Sequence, residues 1–296
     1  DEAWSDAADG AADPDGSSAP ASVVGAASTL PKPLQHAGGA LPHAQLRALA
    51  GVAGREFGNA IHAIFEHRMP GVPLAGQREL VLAQLAAQGV RARDTTPEVL
   101  GSALIERLQA VLDAPLGGAG GPRLGALAAG ELRAEMEFNF SLDGASLPAW
   151  RADCAALGEP QLVPDRNSTL SGLMNGKIDL VFRHDGRFHV LDYKGNLLGD
   201  TLDDYRGEAL VARMDAAHYR FQALLYTVAV ERYLRQRIAG YSRARDLGDC
   251  WYVFVRAAGL QTTDGQACGV WQHRFDHRIL DAAQQALSAP AQRERP

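Results

Sequence analysis

Met174-Asn-Gly-Lys-Ile-Asp-Leu-Val-Phe182 and Phe188-His-Val-Leu-Asp-Tyr-Lys194 are the two runs that decide how this chain folds. Both are rich in β-branched, aliphatic and aromatic residues, and both read as strands. Arg183-His-Asp-Gly186 joins them, with the Asp-Gly pair that favours a tight hairpin. Side chains two apart on a strand share a face, so Asp192 and Lys194 are neighbours while Tyr193 points the other way. The hairpin brings Asp179 within reach of both. Ile178, Leu180 and Val181 on one run, and Val190, Leu191 and Tyr193 on the other, indicate strands buried on both faces. Charges in such strands are costly without a task or a partner. Two carboxylates and an ammonium converging at the head of a sheet can hold a hard divalent cation through oxygen ligands. The lysine can then orient a water or offset charge building on a phosphate. The plain alternative is a same-face ion pair on a solvated strand, worth at most about 1 kcal/mol.

Working outward, Glu135-Met-Glu-Phe-Asn-Phe-Ser-Leu142 is a further strand, with Asp143-Gly144 expected as its turn and 143–170 as an irregular insertion. Phe57, Ile61, Ile64, Phe65 and Arg68 follow a helical period across 54–68, and Pro70 closes that helix. Further helices are expected at 77–89 and 97–113, before a Gly-rich break at 117–121. A long helix is expected at 207–238, then strands at 251–255 and 270–275, and a helix at 277–288. This order predicts an α/β fold, a mixed central sheet flanked by helices.

Residues 1–40 are Ala, Gly, Ser, Pro and Asp with few large apolar side chains, which reads as a flexible linker. The chain starts without Met, so the linker is expected to have joined this domain to something upstream. The rest, 41–296, divides into a helical part (41–125), a core (131–257) and a C-terminal strand and helix (268–290). A length of 296 residues suits roughly two domains or one large α/β unit. The 46% hydrophobic content is enough for a sizeable core. The net charge is −6, and six acids precede the first base, Lys32, so the remainder is neutral. That argues against a broad basic nucleic-acid surface but not against a local patch. Three dispersed cysteines cannot make a disulfide framework, a four-cysteine zinc site or a four-cysteine iron–sulfur site, and a reduced intracellular setting is expected. No apolar run is long enough for a membrane span.

Two helices add side chains with chemistry. Gly58, His62 and Glu66 recur at every fourth position beside the apolar face of the first helix. On the long helix, Tyr219, Gln222, Tyr226 and Tyr233 form a hydrogen-bonding stripe beside Phe221, Leu224, Leu225 and Val228. Each signal alone is weak, since a lone His or a Tyr stripe usually belongs to core or surface.

Five segments in order resemble the C-terminal nuclease domains of the bacterial RecB family, within the PD-(D/E)xK superfamily. They are Phe57-Gly-Asn-Ala-Ile-His-Ala-Ile-Phe-Glu66, Glu135-Met-Glu-Phe138, Gly176-Lys-Ile-Asp-Leu-Val-Phe-Arg183, Leu191-Asp-Tyr-Lys-Gly-Asn196 and Gln222-Ala-Leu-Leu-Tyr-Thr-Val-Ala-Val230. The resemblance implies a restriction-endonuclease-like core with His62, Asp179 and Asp192 as metal ligands and Lys194 as the catalytic lysine. It implies supporting roles for Gln222 and Tyr226, and an acidic role for Glu135, with Glu137 left open. The Leu191 or Tyr193 carbonyl is a further candidate ligand. The implied cofactor is Mg²⁺, and one imidazole among oxygen ligands suits Mn²⁺ as a substitute. The implied activity is exodeoxyribonuclease V-type cutting of single- and double-stranded DNA ends. The implied partners are an upstream helicase domain of the same chain, RecC- and RecD-type subunits and the RecA recombinase, in the bacterial cytoplasm near the nucleoid and away from membranes. Gly195 stands where a serine is common in the family.

No Walker A spacing occurs, because Gly172-Leu-Met-Asn-Gly-Lys-Ile178 lacks both the register and the hydroxyl residue, so ATP hydrolysis is not expected of this chain. Two other functions stay open at this point. One is an inactive nuclease fold kept for DNA-end binding or subunit docking. The other is an α/β domain with surface ion pairs and no chemistry.

Overall fold

A computed structural model describes residues 43–92 and 95–288, so the expected linker at 1–40 lies outside the described residues. Helices α1 (Ala44–Ala48), α2 (Arg55–His67), α3 (Arg78–Ala87) and α4 (Pro97–Asp113) come first. Strand β1 (Leu132–Ser146), α5 (Leu147–Ala156), β2 (Thr169–His184) and β3 (Arg187–Lys194) follow. Then come α6 (Gly207–Ala216), α7 (Tyr219–Arg237), α8 (Arg243–Asp246), β4 (Leu247–Phe254), β5 (Val270–His273) and α9 (His277–Ala286). The sheet has five strands in the order β1-β2-β3-β4-β5. Only β3 and β4 run parallel; the other neighbours are antiparallel, so the sheet is mixed as expected.

The sheet separates two apolar layers. Phe57, Ile61, Ile64 and Phe65 of α2, with Leu104 and Leu108 of α4, pack on Leu191, Tyr193, Trp251 and Val253. Phe221, Leu224, Leu225 and Val228 of α7 pack on the opposite face, against Val190, Cys250, Tyr252 and Phe254. The alternation along β3 and β4 therefore serves two cores at once, which is why both strands carry apolar residues at consecutive positions. The β2–β3 turn is Asp185-Gly186, with φ of 47° and 76°, the left-handed pair of a type I′ hairpin.

Three expectations change. Asp143-Gly144 is not a turn: it lies in a bulge of β1, where the register shifts between Leu142 and Ala145 and the strand continues to Ser146. The stretch expected to be irregular holds α5, whose start is capped by Ser146 Oγ accepting from the Ala149 amide. The long helix is two helices, because His218 takes a left-handed conformation (φ 57°) between α6 and α7. No proline or glycine marks that break, so residue pattern alone could not show it. Helices α1 and α8 have no counterpart among the expected elements, and the others lie close to where periodicity puts them.

Close approach of α2 to the end of β3 depends on glycine. A Cβ at Gly195 would stand 3.0 Å from Ile61 Cδ1 and 3.6 Å from the Gly58 Cα. Arg256 then locks the N-terminal helices to the sheet. It is 1% exposed, lies with its guanidinium 4.7 Å from the Phe57 ring centroid, and donates to the carbonyls of Gly195 (2.8 Å), Leu49 (2.6 Å) and Val52. Arg256→Met keeps bulk but strands three buried carbonyls. It should destabilise the chain by about 3 kcal/mol or more, lowering Tm by about 6–12 °C in thermal unfolding.

Candidate active site

The site begins where two strands part. The β2–β3 ladder ends at Leu180↔Leu191, so Asp179 and Asp192 are the first residues past it. Asp179 fills the gap with its side chain: its Oδ2 accepts from the Tyr193 amide at 2.7 Å, doing the work of a missing backbone carbonyl. From the α2 side, His62 Nδ1 comes within 3.1 Å of the same oxygen.

Glu135 joins them by an unusual backbone. On β1 the even positions Met136, Phe138, Phe140 and Leu142 are buried, and Arg133, Glu137 and Asn139 face solvent. Pairing of Ala134 with Leu180 and Met136 with Ile178 sets Glu135 across from Asp179. At Glu135 the backbone is left-handed (φ 51°), a conformation that costs a non-glycine residue about 1–2 kcal/mol. Its carboxylate meets His62 and Asp179, one ligand atom of each lying within 4.8 Å of the others. Glu137 is exposed and outside this group, so geometry separates the two acids that the sequence left open. Lys177 covers Glu135 from the solvent side, with Nζ 3.1 Å from Oε2.

Asp192 and Lys194 lie on the α7 side of β3. Asp192 is 2% exposed, and Lys194 Nζ stands 2.5 Å from its Oδ2. The ammonium is the cationic partner of this buried oxygen. Lys194 also donates to Gln222 Oε1 at 3.3 Å and lies 4.2 Å from the ring centroid of Tyr219. Gln222 is fixed in turn: Oε1 accepts from the Tyr252 hydroxyl at 2.9 Å, and Nε2 donates to the Tyr226 hydroxyl at 3.0 Å. Tyr219 donates to Asn196 Oδ1 at 3.2 Å.

The sequence-derived residues thus fall into two groups on either side of β3. His62, Glu135 and Asp179 open onto a cleft of about 180 Å³, and Asp192, Lys194, Gln222 and Tyr226 lie behind it. The expected ligand set of His62, Asp179 and Asp192 differs from the group the geometry brings together, because Lys194 occupies Asp192 and the bulged backbone brings in Glu135. Tyr233 lies apart, its ring against Arg237. Tyr252 was missed. It stands opposite Asp192 in the parallel β3–β4 ladder, a pairing that no local sequence pattern reveals.

Burial and close neighbours shift the ionisable groups of the site. Burial, and then the neighbouring Asp179, push the Asp192 carboxyl up to about 6, against the pull of Lys194. Burial also raises Glu135, although Lys177 opposes it. Burial alone would lower His62, but Asp179 more than reverses this and holds it above its usual value of 6.5. Lys194 behaves likewise: burial would lower it, and the Asp192 carboxylate raises it. Two carboxylates and an imidazole converging on one cleft, with the buried Asp192 carboxylate near them, make a hard oxygen–nitrogen donor set that fits a divalent cation.

Likeness to known proteins agrees with this geometry. The PD-(D/E)XK nuclease superfamily matches residues 37–294, and the chain belongs to that superfamily. Its members generally use a divalent metal, and His62, Glu135 and Asp179 form a group able to hold one. Within that class the chain is similar to RecB subunits of the RecBCD enzyme. Identity is 45% over 96 residues with the Haemophilus influenzae subunit, covering 32% of this chain and 8% of that protein. It is 38% over 159 residues with the Escherichia coli subunit, covering 52% and 13%. With the Mycobacterium tuberculosis subunit it is 33% over 245 residues, covering 74% and 22%. The chain therefore spans less than a quarter of the length of these relatives. No helix among the described residues is long and apolar enough to cross a membrane.

Ionising the raised carboxyls costs folded-state stability, and a bound cation offsets that cost. Mn²⁺ at ten times its Kd should stabilise the chain by about 1.4 kcal/mol. The thermal shift should grow from pH 6 to pH 8, as protons stop competing at His62 and Asp192. Glu135→Gln and Asp179→Asn should each lose most of that shift; an undiminished shift in both would remove this group as the metal site.

Proposed function

We propose that this chain is a Mg²⁺-dependent deoxyribonuclease domain that hydrolyses phosphodiester bonds, the nuclease part of a RecBCD-type helicase–nuclease. The observation that carries the reading is Lys194: a buried ammonium held on Asp192 and Gln222, directly behind a group of acidic side chains. On this reading the domain works at single- and double-stranded DNA ends, as an exonuclease and endonuclease, in the cytoplasm beside the nucleoid. It sits downstream of a helicase domain, in company with RecC- and RecD-type subunits and the RecA recombinase. Those partners come from the similarity to RecB, and ATP hydrolysis belongs to the helicase.

His62, Glu135, Asp179 and Asp192 would hold Mg²⁺, and Mn²⁺ would serve in its place. When bound, the cation supplies Lewis acidity, neutralising phosphate oxygens and making water a better nucleophile. Asp179 keeps its oxygen aimed into the fork because the Tyr193 amide fixes it. Lys194 sits where it can orient the attacking water or meet negative charge that grows on the phosphate in the transition state. Gln222 gives the ammonium a second partner beside Asp192, and the Tyr226 and Tyr252 hydroxyls keep Gln222 in one rotamer. The aromatic walls of Tyr219 and Tyr252 exclude water from the lysine stem and favour its charged form.

The experiment is cleavage of linear single-stranded DNA with Mg²⁺ and with EDTA. Cutting with Mg²⁺ alone supports the proposal, and binding without cutting in either condition favours a DNA-end-binding module. Asp192→Asn should reduce cleavage at least about 10²-fold. Lys194→Gln should lower the single-turnover rate by a similar factor while leaving Mn²⁺ affinity nearly unchanged, because the lysine acts on charge that develops during reaction. A parallel fall in rate and metal affinity would make Lys194 structural.

The pH dependence follows from His62. Below its raised pKa the imidazole carries a proton that competes with the metal, so activity should climb as pH passes upward through that value. His62→Asp should shift the acid limb to lower pH, where Asp192 and Glu135 titrate, and extra metal should move the wild-type limb the same way. Superimposable pH–rate profiles for the two proteins would take His62 out of the metal site.

A further inference from the structure

Arg68 stands at the end of α2, where the backbone turns extended (φ −61°, ψ 146°) and its amide still closes the last helical turn on Ile64. It is 8% exposed and lines the same cleft as His62, Glu135 and Asp179. A guanidinium has five donors. Here one of them makes a long bond, Nη2 to the Leu124 carbonyl at 3.3 Å, and among the described residues the group has no ion-pair partner. Its charge acts on the hydroxyl of Tyr193, at the inner wall of the cleft. The other cations near the site differ from it. Lys177 is half-exposed and already sits on Glu135, and Lys194 is committed to Asp192 on the far side of β3. A guanidinium that faces a cleft with donors to spare is placed to take up an anion there. Of the carboxylates that line the cleft, Glu135 and Asp179 face the cation site, and Glu66 stands 3.8 Å from His67 Nδ1 with no ion pair to Arg68.

We propose that Arg68 is a phosphate-binding residue of this cleft, gripping a backbone phosphate of the DNA strand next to the scissile one. The planar fork of donors matches two non-bridging oxygens of one phosphate, a geometry an ammonium cannot offer. Arg68 then approaches the strand from the α2 side and Lys194 from the α7 side, with the acidic group between them. Its role is to position the strand, so it acts in binding and register rather than on the reacting atoms. The proposal rests on the nuclease reading, whose own test is cleavage.

The test is binding of the whole chain to a single-stranded oligonucleotide, with Ca²⁺ in place of Mg²⁺ to slow cutting. A set of strands, each with one uncharged methylphosphonate, locates the phosphate. Wild type should lose about tenfold in affinity at one position, the equivalent of one charge-assisted contact. Arg68→Gln should bind the unmodified strand about tenfold more weakly, and the slope of log affinity against log salt should fall by about 0.7. At the sensitive position the variant should lose nothing further. An unchanged Mn²⁺ thermal shift in Arg68→Gln shows that the neighbouring site is intact. Arg68→Lys should keep the salt slope while recovering only part of the affinity. Should the glutamine variant fail to fold, that lysine variant decides: weaker binding at an unchanged slope supports the proposal, and wild-type affinity overturns it. Equal losses by wild type and Arg68→Gln at every methylphosphonate position also overturn it. A wild type that binds but never cuts in Mg²⁺ overturns the nuclease reading, and the methylphosphonate comparison still reports on Arg68.

Discussion

A single side chain-to-backbone hydrogen bond, from the Tyr193 amide to Asp179 Oδ2, organises the centre of this protein. Two strands that stop pairing inside a buried sheet expose backbone groups that water cannot reach. Asp179 resolves this by offering a carboxylate oxygen where a carbonyl would have been. The ladder can therefore open without leaving the Tyr193 donor unpaired. The opening creates space for a cleft on the α2 side, and it leaves Asp192 and Lys194 on the α7 side of the same strand. The cleft and the buried charge thus have one structural origin.

The two halves of the site are supported by opposite faces of the sheet. His62 rides on α2, and α2 can lie close to the strand end because Gly195 carries no side chain. Arg256 holds that helical layer in place by donating to three carbonyls from two separate segments. On the other face, Gln222 and Tyr226 come from one side of α7, and Tyr252 comes from β4. With Tyr219, also from α7, they give Lys194 one hydrogen-bond acceptor, Gln222, and two aromatic rings, Tyr219 and Tyr252. Burial, with Asp179 adding to it, raises the Asp192 and Glu135 carboxyls, and a bound cation would favour their ionised forms.

Local backbone departures placed residues that regular elements would have misdirected. Strand alternation alone would send Glu135 to solvent with Glu137; the left-handed conformation at Glu135 turns it inward instead. His218 separates α6 from α7 and so sets the phase of the helix that carries Gln222. Glu135 does not belong to a type that advertises such a conformation. The strain at Glu135 is sustained by the pairing on both sides, Ala134 with Leu180 and Met136 with Ile178.

Much of the fold was legible because its signals are local. Apolar spacing showed α2, α3 and α4. Alternation and an Asp-Gly pair showed the β2–β3 hairpin, and the i, i+2 spacing put Asp192 and Lys194 on one face. The sequence by itself also determined that charges would be buried there, since the surrounding residues are apolar on both sides. What only the tertiary structure decided was which groups meet. Glu135 was separated from Glu137 by one backbone angle, Tyr252 was brought to Lys194 by a parallel pairing across distant segments, and Arg68 was left in the cleft by the packing of α2. These are long-range outcomes: they depend on how strands register and where a helix ends against a sheet, and neighbouring residues along the chain carry no record of either.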